Sequence, residues 1–337
     1  MPSAVQPPPH ATRTRRLAAL AVAGATLAVF APPAAVAQPA YPDKPVRLIV
    51  PFPPGGTTDV VGRLIAQKAS VLWGGKAIVV ENKAGASGTI GTGEGVAAAP
   101  DGYTLTVGNS QTHGTNATLF PKLAYDLVRD VTPIAMLART KNVLAVPGKS
   151  PYQTVDDLLA AGKAKPLSYA SVGNGASSHI IGEFISRKFS LNAVHVPYKG
   201  GGPAINDLIG GQVDFMAATY GTVANLAKEG RVRILAVSDE ERDPRIPNVP
   251  TFKEATLPSL GLDTTIGLYG PANLPRAIVE QWSDAVAKMA AMPDVAKALE
   301  SAGFDVWFKS AAEMATYHRN EVPRLGKIIK EANVEMN

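Results

Sequence analysis

The chain has no cysteine. That one absence excludes disulfides, zinc–thiolate centres, a cysteine nucleophile and a lipid-anchored N-terminal cysteine. Charge is also sparse, at 18% of residues, with a net formal charge of +5. Arg13, Arg15 and Arg16 lie in the N-terminal leader, and removing them takes +5 to +2. No basic stripe is left that would suggest nucleic acid. Four histidines follow residue 40, namely His113, His179, His195 and His318, and none stands at metal-ligand spacing from another. Neither a metal nor a cofactor is expected. No apolar run after Ala40 is long enough to cross a bilayer.

What is present begins with an export signal. The three arginines precede an apolar run from Leu17 to Phe30, and Ala35-Val36-Ala37 is a small-residue cleavage signature. Residues 1–37 therefore read as a secretory signal peptide, and the mature protein as periplasmic. Pro32-Pro33 cuts the run short of a membrane anchor, and Arg15-Arg16 reads as an ordinary basic leader rather than a twin-arginine signal. About 300 residues remain, more than one hydrophobic core usually supports, so two lobes are expected.

The mature chain is organised around Val46–Leu64, VRLIVPFPPGGTTDVVGRL. Val46, Leu48, Ile49 and Val50 make a buried strand, and Pro51, Pro53 and Pro54 stop it. Gly55-Gly56 forms a turn, Thr57 or Thr58 caps a helix, and Asp59 suits the positive end of its dipole. Such a helix start presents unpartnered amides to whatever occupies the turn.

The device recurs. Tyr103–Val107 runs into Gly108-Asn109-Ser110-Gln111-Thr112-His113, and Leu167–Ala170 runs into Ser171–His179 before a helix over Ile180–Phe189. Ala193–Pro197 runs into Tyr198-Lys199-Gly200-Gly201-Gly202, and a buried strand over Gln212–Ala217, containing Asp214, leads into Ala218–Thr222. Strands alternating with helices predict an α/β fold with largely parallel sheets, in which loops at the carboxyl ends of strands bind ligand. The expected lobes are 41–138 plus 250–337, and 139–249.

These loops carry hydroxyls, amides and free backbone N–H groups, which hold a small polar or anionic ligand without transforming it. They contain no arginine clamp, and Lys199 is their one cation. GxSxG and P-loop motifs are absent. Gly91-Thr-Gly93-Glu-Gly95 is only a partial dinucleotide fingerprint, and His195 falls within a strand pattern as a structural residue.

The chain resembles the Bug family of periplasmic solute receptors, the binding proteins of tripartite tricarboxylate transporters. The resemblance rests on YPDKPVRLIVPFPPGGTTDVVGRL, VVENKAGASGTIG, PDGYTL, LSYASVGNGASSH, VHVPYKGGGPAINDLIGGQVDFM and LAVSDEERDPRIPNVPTFKEA, and spans Tyr41–Asn337. It implies a two-lobed type II periplasmic-binding fold that closes on a carboxylate (a dicarboxylate, an amino acid or an aromatic acid), partly through bridging waters. The ligand-binding positions it implies are Phe52, Gly55, Gly56, Thr57 and Asp59, then Asn109 and Ser110. From the other lobe come Ser171, Gly175, Ser177, Ser178, His179, Tyr198, Asp214 and Thr219. Thr57, Gln111-Thr112-His113 and Tyr220 depart from the family pattern and are expected to read the distal part of the ligand. The implied partners are a small carboxylate and membrane transporter subunits, with the receptor itself a monomer. Two other readings stand beside this one: a ligand-loaded partner of a signalling sensor, and a secreted hydrolase using Ser110 or Ser177 with His113 or His179.

Overall fold

A computed structural model describes residues 1–4 and 41–334. The expected signal peptide lies outside the described residues, apart from its first four. Among the described residues no helix is long and apolar enough to cross a membrane.

The first half of the chain builds β1 (Val46–Val50), α1 (Thr57–Leu72), β2 (Ile78–Asn82), α2 (Thr89–Val96), β3 (Thr104–Asn109) and the short α3 (Asn116–Leu119). A wide helical turn over Gln111–Thr115 joins the last two. The long β4 (Val131–Thr140) then passes through Lys141 into β5 (Asn142–Pro147). The second half contains α4 (Val155–Ala164), β6 (Leu167–Ser171), α5 (Ser177–Lys188), β7 (Ala193–Pro197) and α6 (Gly201–Gly210). It continues with β8 (Phe215–Thr219), α7 (Tyr220–Lys228) and β9 (Val232–Val237). The chain returns through β10 (Thr264–Pro271), α8 (Arg276–Ala290), α9 (Pro293–Ser301), β11 (Asp305–Lys309) and α10 (Ala311–Glu331).

Two sheets result, ordered β11-β4-β10-β3-β1-β2 and β7-β6-β8-β5-β9. They are more mixed than the sequence predicts. β1 pairs in parallel with β2 and β3, and β6 with β7 and β8. The pairs of β10 with β3 and β4, β11 with β4, and β5 with β8 and β9 are antiparallel. The cause is the crossing: β4 leads out of one sheet directly into β5 of the other, and β10 leads back. These strands read as apolar runs like any other, but they connect sheets instead of closing βαβ units.

Each sheet has its own core. Val46, Leu48, Val50, Val61, Ile65, Leu105, Val107 and the fully buried Trp282 form one. Leu144, Leu158, Tyr169, Ile180, Ile185 and Phe215 centre the other. Phe252, Leu257 and the end of α10, through Leu325 and Ile328, pack into this second core. α4 carries a full capping box, with Asp157 N–H donating to Thr154 Oγ1 and Asp157 accepting from Thr154 N–H.

Candidate functional site

The turn after β1 is built differently from the predicted threonine cap. Helix α1 starts at Thr57, its cap residue is Gly56, and no side chain caps it. Gly55 takes the left-handed conformation at φ +80°, which admits glycine readily. Asp59 closes the turn from below. Its Oδ2 accepts from Gly55 N–H at 2.9 Å and Arg63 Nε at 2.9 Å, and its Oδ1 accepts from Asn82 Nδ2 at 2.8 Å. Burial works against the charge on Asp59, but Arg63, Gly55 N–H and Asn82 outweigh it and hold its pKa below the ordinary carboxylate value. Asp59 thus braces the turn, and the N–H groups of Gly56, Thr57 and Thr58 are left heading the helix without partners inside it.

The turn after β3 is tied to the first. Asn109 Nδ2 donates to Thr58 Oγ1 at 3.1 Å, while Asn109 Oδ1 accepts from the backbone of Gln111 and Thr112 at 3.0 and 2.9 Å. Asn109 therefore shapes the turn that presents Ser110 and Gln111. Gly88 nests against both turns: a Cβ there would lie 2.5 Å from Thr112 and 3.4 Å from the Phe52 ring.

The loop from Ser171 to Ser178, carried by β6 and α5, faces these turns from the other sheet. Ser178 Oγ accepts from Val172 N–H at 3.1 Å, so it ties the loop together rather than capping α5, whose cap residue is Ala176. Ser177 Oγ donates to Asn142 Oδ1 on the crossing strand at 3.2 Å. Gly175, at φ +79°, donates its N–H to His179 Nδ1 at 3.1 Å. Thr219 stands beside Asn142 in the ladder, at the start of α7. The carboxyl ends of β1, β3, β6 and β8 therefore open on one interlobe space.

Two predicted residues stand elsewhere. Asp214 precedes β8, which begins at Phe215 rather than Gln212, so it lies at the amino edge of the sheet. There its Oδ2 accepts from Ser168 N–H at 2.8 Å and Ser168 Oγ at 3.1 Å, joining β6 to β8. The Tyr198 phenol turns away to donate to Asp207 at 2.7 Å, and burial with that carboxylate pushes its pKa up to about 12. Only the Tyr198 backbone stays at the loop, with N–H donating to Ser171 O at 3.0 Å.

Ser87 and Thr115, not singled out as ligand contacts, join the two walls, and so does Gln111, which was expected to read the distal part of the ligand. Ser87 Oγ donates to Asn174 O at 3.1 Å, Gln111 Nε2 to the same oxygen at 3.0 Å, and Thr115 Oγ1 to Gly175 O at 3.1 Å. Polar residues in glycine-rich loops were visible in the sequence, but side-chain donors directed at backbone carbonyls leave no pattern there. His195 also proves to be more than strand filling. Its ring stacks on His179 with centroids 3.9 Å apart, and its Nε2 lies 2.6 Å from Ser171 Oγ.

No nucleophile–base pair forms from the serines and histidines singled out for hydrolysis. His113 Nδ1 meets Thr112 Oγ1 at 3.0 Å and stacks on Tyr269, while His179 Nδ1 is taken by Gly175. The Ser171–His195 contact involves a fully buried serine also bonded to Gly173, with no exposed elbow. A groove of about 720 Å³ between α2 and residues 119–125 is lined mainly by apolar groups such as Ile90, Phe120 and Tyr125. It lacks the convergent amides and hydroxyls carried by the facing turns.

Two α/β lobes joined by crossing strands, with amide-rich turns opposed across the gap, define the class of periplasmic solute-binding proteins. Within that class the chain belongs to the tripartite tricarboxylate transporter family receptors (TctC), whose family description matches residues 61–334. It is similar to Protein BugT of Bordetella pertussis, at 29% identity over 96% of this chain and 99% of that protein. A solved R. palustris protein, Rpa4515 with adipate, is 30% identical with a TM-score of 0.81, covering 88% of this chain and 99% of its own. MatC from Rhodopseudomonas palustris with bound malate is 32% identical with a TM-score of 0.79, covering 86% of this chain and all of that one.

Proposed function

We propose that the protein is an exported periplasmic receptor that captures a small carboxylate between its lobes and delivers it to a tripartite tricarboxylate-type transporter. The observation that carries this reading is that Asn109, Gln111 and Thr115 tie the turn heading α1 to the loop heading α5, so the N–H and hydroxyl groups of both helix starts gather in one region. A carboxylate is satisfied by such donors without a guanidinium, because each helix start supplies oriented amides and partial positive charge. Adipate and malate in the related R. palustris proteins make dicarboxylates the first class to test. Thr57 and Ser110, both half-buried, are assigned to the ligand, whereas the half-buried Thr219 Oγ1 donates to Thr222 Oγ1 at 3.3 Å and the other predicted hydroxyls are held by the internal bonds above. Closure follows from differential affinity, since only the closed form lets both walls donate to one ligand. An affinity of order micromolar, or roughly −8 kcal/mol, is expected. The receptor acts as a monomer after its signal peptide is removed.

Native mass spectrometry of freshly purified mature protein tests this. A co-purified organic acid, or a mass shift when malate or adipate is added, is the expected result. Protein that is folded and binds none of a broad set of mono- and dicarboxylates would overturn it.

A further inference from the structure

The three donors that cross the interlobe space all end on two adjacent carbonyls, those of Asn174 and Gly175. Ser87 and Gln111 share the first and Thr115 takes the second, at 3.0–3.1 Å. Leu119 closes over the same spot, since a Cβ on Gly175 would lie 2.4 Å from its Cδ1. Gly173 and Gly175 both have positive φ, +137° and +79°. A loop of this composition has little conformational preference of its own, so something must hold its carbonyls toward the opposite wall.

The holding groups are two imidazoles. His179 Nδ1 accepts the Gly175 N–H, fixing the peptide plane that follows Asn174 O. His195 Nε2 reaches Ser171 Oγ at 2.6 Å, and Ser171 Oγ in turn meets both Gly173 N–H at 3.2 Å and Gly173 O at 3.1 Å. All three contacts are satisfied together when His195 carries its proton on Nε2 and donates to the serine. The rings stack at 3.9 Å with only 8° between planes, and Tyr169 lies on the other face of His195 with centroids 5.0 Å apart.

We propose that His179 and His195 are positioning residues for an interlobe latch: as a neutral stacked pair they hold the Asn174 and Gly175 carbonyls where Ser87, Gln111 and Thr115 donate to them. The latch belongs to the protein itself and operates whatever ligand the cleft takes. It also has a built-in sensitivity to acid. A proton on His179 Nδ1 removes the acceptor for Gly175 N–H, and protonation of both rings would set like charges 3.9 Å apart. The other ionisable groups facing the pair are Glu183, Tyr169 and Arg187, and Glu183 is already engaged by Tyr169 OH at 2.7 Å and Arg187 Nε at 2.6 Å. Burial keeps both imidazoles below their ordinary pKa, and His195, with His179 beside it, falls to about 4. For folding, stability held by a base with a lowered pKa is present above its ordinary value of about 6.5 and is lost as pH falls from there through the lowered value; closure responds to acid through loss of the Nδ1 acceptor.

The lack of native cysteine permits a direct reading of closure. Spin labels at Ile90→Cys and Val194→Cys, both well exposed and on opposite lobes, report the interlobe distance of the mature protein without ligand. At pH 8 a short-distance population is expected, with its ratio to the long one falling about fivefold in Gln111→Ala, the value of one net hydrogen bond. Acidification to pH 5 should reduce it in wild type. His179→Asn, whose amide oxygen replaces Nδ1 as an acceptor that does not titrate, should keep the population at both pH values. His179→Ala should lose it at both. Unchanged distances in Gln111→Ala would overturn the latch. Equal acid sensitivity in wild type and His179→Asn would overturn the role of the imidazoles.

Discussion

Asp59→Asn perturbs the turn after β1 with almost no change in shape. The wild-type carboxylate is buried, at 2% exposure, and receives Gly55 N–H, Arg63 Nε and Asn82 Nδ2 at 2.8–2.9 Å. An amide offers one oxygen and one NH₂. Either Asn82 or the Gly55–Arg63 pair must then face a donor, and the bonds that survive lose their ionic character. Hydrogen bonds to a charged partner contribute about 1.5–3 kcal/mol each. Loss of one and weakening of the others should cost about 2–4 kcal/mol. At roughly 2–4 °C per kcal/mol for a large domain, the melting temperature should fall by about 4–16 °C. Differential scanning calorimetry at pH 7 reads it. The pH dependence supplies a second check. A carboxylate held below its ordinary pKa contributes above about pH 4 and stops contributing as pH falls through the lowered value, so the two proteins should converge in acid. A variant melting within 2 °C of wild type at pH 7 would refute the bracing role.

Three further outcomes follow. Thr57→Val should leave the melting temperature unchanged and weaken carboxylate binding about tenfold, measured by calorimetric titration, since only a half-buried hydroxyl at the helix start is removed. Gly221→Ala should destabilise by about 2–4 kcal/mol in urea unfolding, because its Cβ would sit 2.2 Å from the carbonyl oxygen of Ala302 on the other lobe. Asp263 is pushed up to about 6 by burial, with Arg139 at 3.9 Å too distant to offset it. A raised carboxylate pKa favours folding below about pH 4 and loses that contribution as pH rises through about 6. Asp263→Asn should therefore be close to neutral at pH 4.5 and stabilising by about 1–3 kcal/mol at pH 8, in urea titrations at each pH.

The parts of this receptor that were legible in the sequence are those set by local rules. The apolar run Val46–Val50, the prolines after it and the Gly55-Gly56 turn announced a strand and a helix start. The family resemblance extended that reading to a two-lobed binding fold. What was not legible depends on contacts between distant segments. The antiparallel β4, β5 and β10 look like the parallel strands beside them, because burial on both faces erases the alternation that would mark direction. The family resemblance implied Asp214 as a ligand-binding position, yet its carboxylate bonds Ser168 at the far edge of the sheet. Tyr198 sat in the right loop with its phenol directed out of it. His195 read as strand filling because nothing in the sequence shows its stack on His179, sixteen positions away.

A small carboxylate bound between the starts of α1 and α5 is what we propose for the interlobe space. Isothermal titration of the mature protein against malate, adipate and a panel of other organic acids tests it most directly. Saturable binding near the micromolar range by at least one acid, weakened about tenfold in Thr57→Val, is the expected result. Tight binding unaffected by changes at Thr57 and Ser110, or no binding of any carboxylate by folded protein, would contradict it.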